Sequence, residues 1–127
     1  MRCDLHSHST ESDGAESPDA IAARAAAAGL ELFALSDHDT CTRIAVPGTR
    51  VVRAVEMSCD HAGRTIHVLA YDRGGAGWAE LEARLALTRE ARRNRLRVMA
   101  ATLARRGVRI DVETILAAAH GRSVGRP

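Results

Sequence analysis

His6 and His8 stand two residues apart in the stretch Asp4-Leu5-His6-Ser7-His8-Ser9-Thr10-Glu11-Ser12-Asp13. On an extended strand that spacing puts both imidazoles on one side of the backbone, with Ser7 and Ser9 on the other. Both rings can then reach one metal ion without distorting the chain. Asp13 follows in a Ser12-Asp13-Gly14 turn that can fold its carboxylate back. Alone, a His-x-His pair fits the end of a surface strand equally well. Further along come Asp37-His38-Asp39, Glu56 and His67. Mixed imidazole and carboxylate donors suit Zn²⁺, Mn²⁺ or Fe²⁺ rather than Ca²⁺, and six of them exceed what one tetrahedral ion needs. A cluster of two or more ions is implied. Such clusters clamp the attacking and leaving oxygens of a phosphoester and turn a bound water into hydroxide near neutral pH. Asp37 and Asp39 have two readings: turn or N-cap residues of the next segment, or carboxylates that orient the His38 imidazole.

The elements that must position these donors follow from local signals. Residues 1–6 read as a short strand ending at the His pair. Ser17-Pro18 is a helix start, with Ser as N-cap and Pro at the first helical position; the alanine-rich run to Ala28 propagates it and Gly29 stops it. Leu30–Leu35 reads as a buried strand with Ser36–Thr40 at its C-terminal end. Past a strand–helix–strand unit, such strand ends are where α/β folds place their sites. Residues 41–50 read as loop, Arg50–Val55 as a strand with Glu56 at its end, and Thr65–Tyr71 as a strand able to pair with it in a hairpin. After Gly74, Gly75 and Gly77, one long helical pattern runs from Trp78 to about Arg106, with Leu81, Leu85, Leu96, Met99 and Leu103 near a common face. Val112–Ala119 reads as a short helix. The chain thus divides into strands and ligand motifs over 1–73 and a helical arm over 74–127, as one structural unit.

Composition narrows the chemistry. The 127 residues suffice for one domain, and 46% hydrophobic with 27% charged residues reads as a globular, cytoplasmic protein without a signal or membrane-spanning run. All 18 basic residues are arginine. Schiff-base chemistry, a P-loop and a carbamylated-lysine metal bridge are therefore excluded. Cys3, Cys41 and Cys59 are odd in number, form no Cys-x-x-Cys pair, and read as reduced and structural. Behind a net charge of +2, residues 84–109 carry nine arginines against one acid, Glu90. With acidic neighbours at i±4 missing from that run, a phosphate-bearing ligand explains it better than a solvated helix face. Nearly absent aromatics argue against single-strand binding by base stacking. His61 and His120 read as surface or loop histidines.

The ordered motifs Asp4-Leu5-His6-Ser7-His8-Ser9 with Ser12-Asp13-Gly14, Ala34-Leu35-Ser36-Asp37-His38-Asp39-Thr40, Val55-Glu56-Met57-Ser58 and Ile66-His67-Val68-Leu69 resemble the PHP (polymerase and histidinol phosphatase) family. Among its members they are most similar to the stand-alone phosphoesterases that act on nucleotides and short RNA. The resemblance implies the N-terminal part of a distorted β/α barrel with an Arg-rich helical arm. It implies up to three divalent ions, manganese first, with zinc or iron as alternatives. His6 and His8 would bind one ion, Asp13 and His38 a second, Glu56 and His67 a third, with Glu56 bridging. The implied activity is hydrolysis of phosphate esters of nucleotides or short 5′-phosphorylated RNA by metal-bound hydroxide, with no catalytic residue beyond the metal ligands and with Arg89, Arg92 and Arg126 holding phosphate groups. Two features depart from the family. Its later ligands, an Ala-His-Pro-like and an Asp-x-His motif, are not found in these residues, and no helix is expected between Thr40 and Arg50. The alternative expectation is a truncated, catalytically incompetent metal-binding piece that needs a missing C-terminal half or a second chain.

Overall fold

The computed structural model describes residues 1–74 and 76–124. Its first unit is β1 (Cys3–Ser7), α1 (Pro18–Ala27) and β2 (Leu32–Leu35), the expected strand–helix–strand. Ser17 caps α1, its Oγ accepting from the Ala20 N–H at 3.2 Å, and Gly29 leaves the helix at φ +62°, a conformation glycine adopts without steric cost. β1 and β2 pair in parallel, and β3 (Arg50–Val51) adds on the other side of β2 to give the order β1-β2-β3. Residues 36–49 make the parallel β2-to-β3 crossover without a helix. Val46 and Ile44 from that loop join Ala22, Ala25, Phe33 and Leu35 in the first core cluster, where a crossover helix would otherwise pack. Phe33 and Leu35 are fully buried, each contributing about 1.5–3 kcal/mol of burial.

The Arg50–Val55 strand divides in two. Val52 N still donates to Phe33 O at 2.9 Å, but the chain then turns to pair with a new partner. β4 (Ala54–His61) and β5 (Arg64–Tyr71) form an antiparallel hairpin in register from Ala54↔Tyr71 to His61↔Arg64. Glu56 consequently lies within β4 and His67 within β5, not at strand ends. A single parallel bridge, His38↔Glu56, carries the end of β2 onto β4 and joins the two sheets.

α2 (Trp78–Ala104) and α3 (Val112–Ala118) complete the described fold. Trp78 and Leu85 pack on Val55, with Leu81, Met57, Ala70 and Cys41 around them. Further along α2 the inward position is Ala100, while Met99 is 51% exposed. The stripe follows 78, 81, 85, 96, 100 and 103, which tracks the helical repeat more closely than one through 99. Acidic neighbours are also nearer than the sequence suggests: Glu80 bonds Arg84 one turn on, and Glu113 of α3 meets Arg97. No helix among the described residues is long and apolar enough to cross a membrane.

Candidate metal centre

The C-terminal ends of β1 and β2 and the facing side of the hairpin meet at one point. In an antiparallel pair, directly opposed residues share a face, so Glu56, Ser58, His67 and Leu69 look the same way. Glu56 is the centre of the arrangement. Its Oε2 lies 2.8 Å from His6 Nε2, 3.0 Å from His8 Nε2 and 3.9 Å from His38 Nε2, and its Oε1 lies 2.9 Å from His67 Nδ1. Asp13 closes the other side, 3.0 Å from His8 Nδ1 and 3.5 Å from His38 Nε2. The rings of His6, His8, His38 and His67 follow one another at centroid separations of 5.1, 4.8 and 4.7 Å. All six donors named from the sequence converge, although they come from four separate segments.

Three overlapping groups result: His6–His8–Glu56, His8–Asp13–His38 and His38–Glu56–His67, with the donor atoms of each within 4.8 Å of one another. This donor set fits divalent transition ions. His8 faces a carboxylate oxygen with each ring nitrogen, Asp13 at Nδ1 and Glu56 at Nε2, and an imidazole with a single N–H cannot donate to both, whereas a cation between ring and carboxylate suits both. Burial, above all, pulls the His38 pKa below its ordinary value, against the opposing pull of Glu56 and Asp13, so the ring is neutral and ready to donate. For Glu56 burial alone would raise the pKa. The hydrogen bond from His6 and the nearby His38, His6 and His8 outweigh it and hold the carboxyl below its usual range.

The two aspartates beside His38 are fully buried, yet neither orients its ring: His38 Nδ1 has no hydrogen-bond partner. Nor does either cap a helix. Asp37 fastens the loop after β1, accepting from Ser9 N at 2.7 Å, Ser9 Oγ at 2.8 Å and Ser12 Oγ at 2.7 Å, and from Thr42 Oγ1 on the other side. That loop carries His8 at its start and Asp13 near its end. Asp39 sits at φ +53° and fastens β4 and α2: its Oδ1 accepts from Ser58 N at 2.8 Å, and Arg92 Nε lies 2.9 Å from its Oδ2.

Arg89 and Arg92 therefore already have partners. Arg89 donates to the Asp39 carbonyl at 2.6 Å; Arg92, besides its ion pair, donates to Ser58 Oγ and, at 3.4 Å, to Val124 O. Arg126 lies outside the described residues. His61 and His120 are exposed and join none of the three groups. Sequence reading missed Ser58 and Arg122. Arg122 spans from the end of α3, at Ala118 O and Ala119 O, to Thr10 O at 2.7 Å. Neither residue carries a local signal, because each acts through a contact distant in sequence.

No family model matches the chain. Among characterised proteins, a 3′,5′-nucleoside bisphosphate phosphatase from Chromobacterium violaceum is 37% identical over 112 residues, which is 83% of this chain and 39% of that protein. A 5′-3′ exoribonuclease from Haemophilus influenzae is 41% identical over 73 residues, 52% of this chain and 27% of its own length. The chain thus spans well under half of the relatives it matches. Among solved structures, a candidate metal-dependent phosphoesterase from Bifidobacterium adolescentis covers the whole chain with a TM-score of 0.75 at 25% identity, the match taking in 47% of that chain. A Chromobacterium violaceum amidohydrolase, solved with sulfate and no metal, covers 89% of this chain and 42% of its own, with a TM-score of 0.66 at 32% identity.

Proposed function

Since the chain belongs to the PHP phosphoesterase family and spans part of the length of its relatives, we propose that these residues form the metal-holding part of a hydrolase acting on phosphate esters of nucleotides or of short 5′-phosphorylated RNA. The observation that carries this is the convergence of four imidazoles on the Glu56 carboxylate, with Asp13 closing the other side against His8 and His38. His6, His8 and Glu56 would hold one ion, Asp13 and His38 with His8 a second, and Glu56, His38 and His67 a third. Bound ions, manganese foremost, would supply an activated water and neutralise charge on the phosphate. The chain's own part is to fix donor positions. Asp37 and Asp39 hold the loops, and the neutral His38 and ionised Glu56 present lone pairs at working pH.

The nucleotide or RNA substrate rests on the kinship with a bisphosphate phosphatase and an exoribonuclease. The amidohydrolase reading suggested by one structural neighbour is weaker here, because no lysine is present to form a carbamate bridge. A second reading follows from the small share of each relative that is covered: residues 1–127 bind metal but turn over substrate only with further donors. Both readings require metal uptake. Elemental analysis and Mn²⁺ titration of the wild type and of His6→Ala with His8→Ala test it. Loss of at least one bound ion in the double variant is expected, and unchanged stoichiometry would overturn the proposal.

A further inference from the structure

We propose that the buried ion pair Arg92–Asp39 is a lock that sets the spacing between the two halves of the metal-ligand cluster, which makes Arg92 a positioning residue. The inference rests on the metal-binding reading above. His6, His8, Asp13 and His38 belong to the β1–β2 unit, whereas Glu56 and His67 belong to the β4–β5 hairpin. The two units meet at the His38↔Glu56 bridge, where Glu56 N donates to Asp37 O at 3.2 Å and Asp39 N donates to Glu56 O at 2.9 Å. Two backbone hydrogen bonds, with Tyr71 Oη of β5 donating to Leu5 O of β1 at 2.9 Å, are by themselves a soft hinge. Asp39 stiffens it by holding the next residue pair of β4 through Ser58 N, and it does so from a left-handed conformation that a side chain other than glycine's adopts at a cost.

That geometry needs a compensated carboxylate. Asp39 is wholly buried, and the cation against its Oδ2 is Arg92, 2.9 Å away in an ion pair off the ideal hydrogen-bonding direction. The same guanidinium reaches Ser58 Oγ, on the face that also carries Glu56 and His67. Arg89 holds the Asp39 carbonyl from one turn earlier on α2. Removing one partner of a buried pair leaves an uncompensated charge, whereas removing both is far milder. Without Arg92, Asp39 turns towards solvent, Ser58 N loses its acceptor, and Glu56 shifts against His6, His8 and His38.

The test uses Co²⁺ affinity, read from its visible absorption, alongside amide hydrogen exchange of the metal-free protein. Arg92→Gln is expected to lower Co²⁺ affinity about 10–100-fold, the usual cost of losing a residue that supports a ligand. It should also speed exchange at the Asp39 and Ser58 amides while leaving α1 unchanged. Asp39→Asn combined with Arg92→Gln should bind Co²⁺ more tightly than Arg92→Gln alone. Arg92→Lys keeps the charge and covers the case in which Arg92→Gln does not fold. Its single ammonium cannot span Asp39, Ser58 and Val124, so affinity should drop several-fold. Wild-type affinity in Arg92→Lys, independent effects in the double variant, or a lowered Tm with unchanged Co²⁺ affinity would each overturn the lock. Absence of Co²⁺ binding by the wild type would instead overturn the metal reading, and the exchange rates would still judge the pair.

Discussion

Glu56, like His8 and His38, belongs to two of the three candidate ligand groups, and its carboxylate alone lies within 4 Å of all four clustered imidazoles, so its single side chain carries more of the site than any other. Glu56→Gln keeps the shape and removes the charge. Divalent-metal affinity is expected to fall by at least about a hundredfold, beyond the cost of disturbing an outer partner, as read by titration with a chelator competitor. Retained affinity would show that the histidines suffice. The pKa directions give a second expectation, for the metal-free protein. The His38 value is below the ordinary 6.5, so as pH falls through that value the unfolded chain takes up a proton the folded chain refuses, and stability is lost. Glu56 lies below 4.5, so its stabilisation is present above that pH and is lost as pH falls through the lower folded value. The Tm measured by circular dichroism should therefore decline below about pH 6.5 and more steeply below about pH 4.5. A Tm that rises between pH 7 and 5 would contradict the His38 direction, and one that rises as pH falls below about 4.5 would contradict that of Glu56.

At the scale of elements, the loop between β1 and α1 shows how tightly the donors are held. A Cβ on Gly14 would stand 2.3 Å from His8 O and 2.5 Å from its carbonyl carbon, both backbone atoms that cannot swing aside. Gly14→Ala must displace the loop that brings Asp13 to His8 and His38. A loss of about 1–3 kcal/mol, typical of overpacking, is expected in urea unfolding, together with weaker metal binding. An unperturbed variant would mean that the loop is softer than its hydrogen bonds to Asp37 imply. The Cys41 thiol illustrates the opposite case, a reactive group kept idle. Burial, helped by Glu82, pushes its pKa up to about 11, so it stays protonated and packs as a small apolar side chain.

For the molecule as a whole, the excess positive charge of residues 84–109 divides into two populations. Arg92 pairs with the Asp39 carboxylate and Arg89 is tied to the Asp39 carbonyl, while Arg84 faces Glu80, and Arg93 and Arg97 face Glu90 and Glu113. Arg95, Arg105, Arg106 and Arg109 are exposed, with no acidic partner within ion-pair distance among the described residues. Binding of a short oligonucleotide should weaken as salt rises through counterion release. Charge reversal at Arg95, Arg105 and Arg106 should flatten that dependence more than reversal at Arg93 does; equal slopes would leave the helix a solvated face. On activity, three ions need roughly four ligands each, and these residues provide three groups of three that share members. Residues 1–127 alone are expected to hydrolyse a phosphomonoester or a short 5′-phosphorylated RNA barely above background in excess Mn²⁺, since misplacement on the order of 1 Å costs about a hundredfold. Turnover comparable to a complete relative would show that solvent or a second chain completes the ligand sets.

The sequence by itself determined most of the elements and named six candidate donors. Cap and stop residues bound α1, β-branched runs mark the strands, and the period-two spacing puts His6 and His8 on one side. These signals are local, since each depends on neighbours within a turn or a pleat. The six donors were legible as residue types in ordered motifs; their meeting point was not. Only the tertiary structure placed Glu56 and His67 inside a hairpin, because the break at Val52–Arg53 depends on whether the chain pairs with β2 or with β5, a choice between partners that spacing does not encode. Likewise Asp37 and Asp39, open between turn residues and ring-orienting carboxylates, turned out to fasten distant segments. The roles of Arg92, Ser58 and Arg122 rest on contacts spanning 32 to 112 residues. Burial decides such contacts: a buried charge or carbonyl must find a partner wherever the fold supplies one, and what the fold supplies is settled by the packing of whole elements.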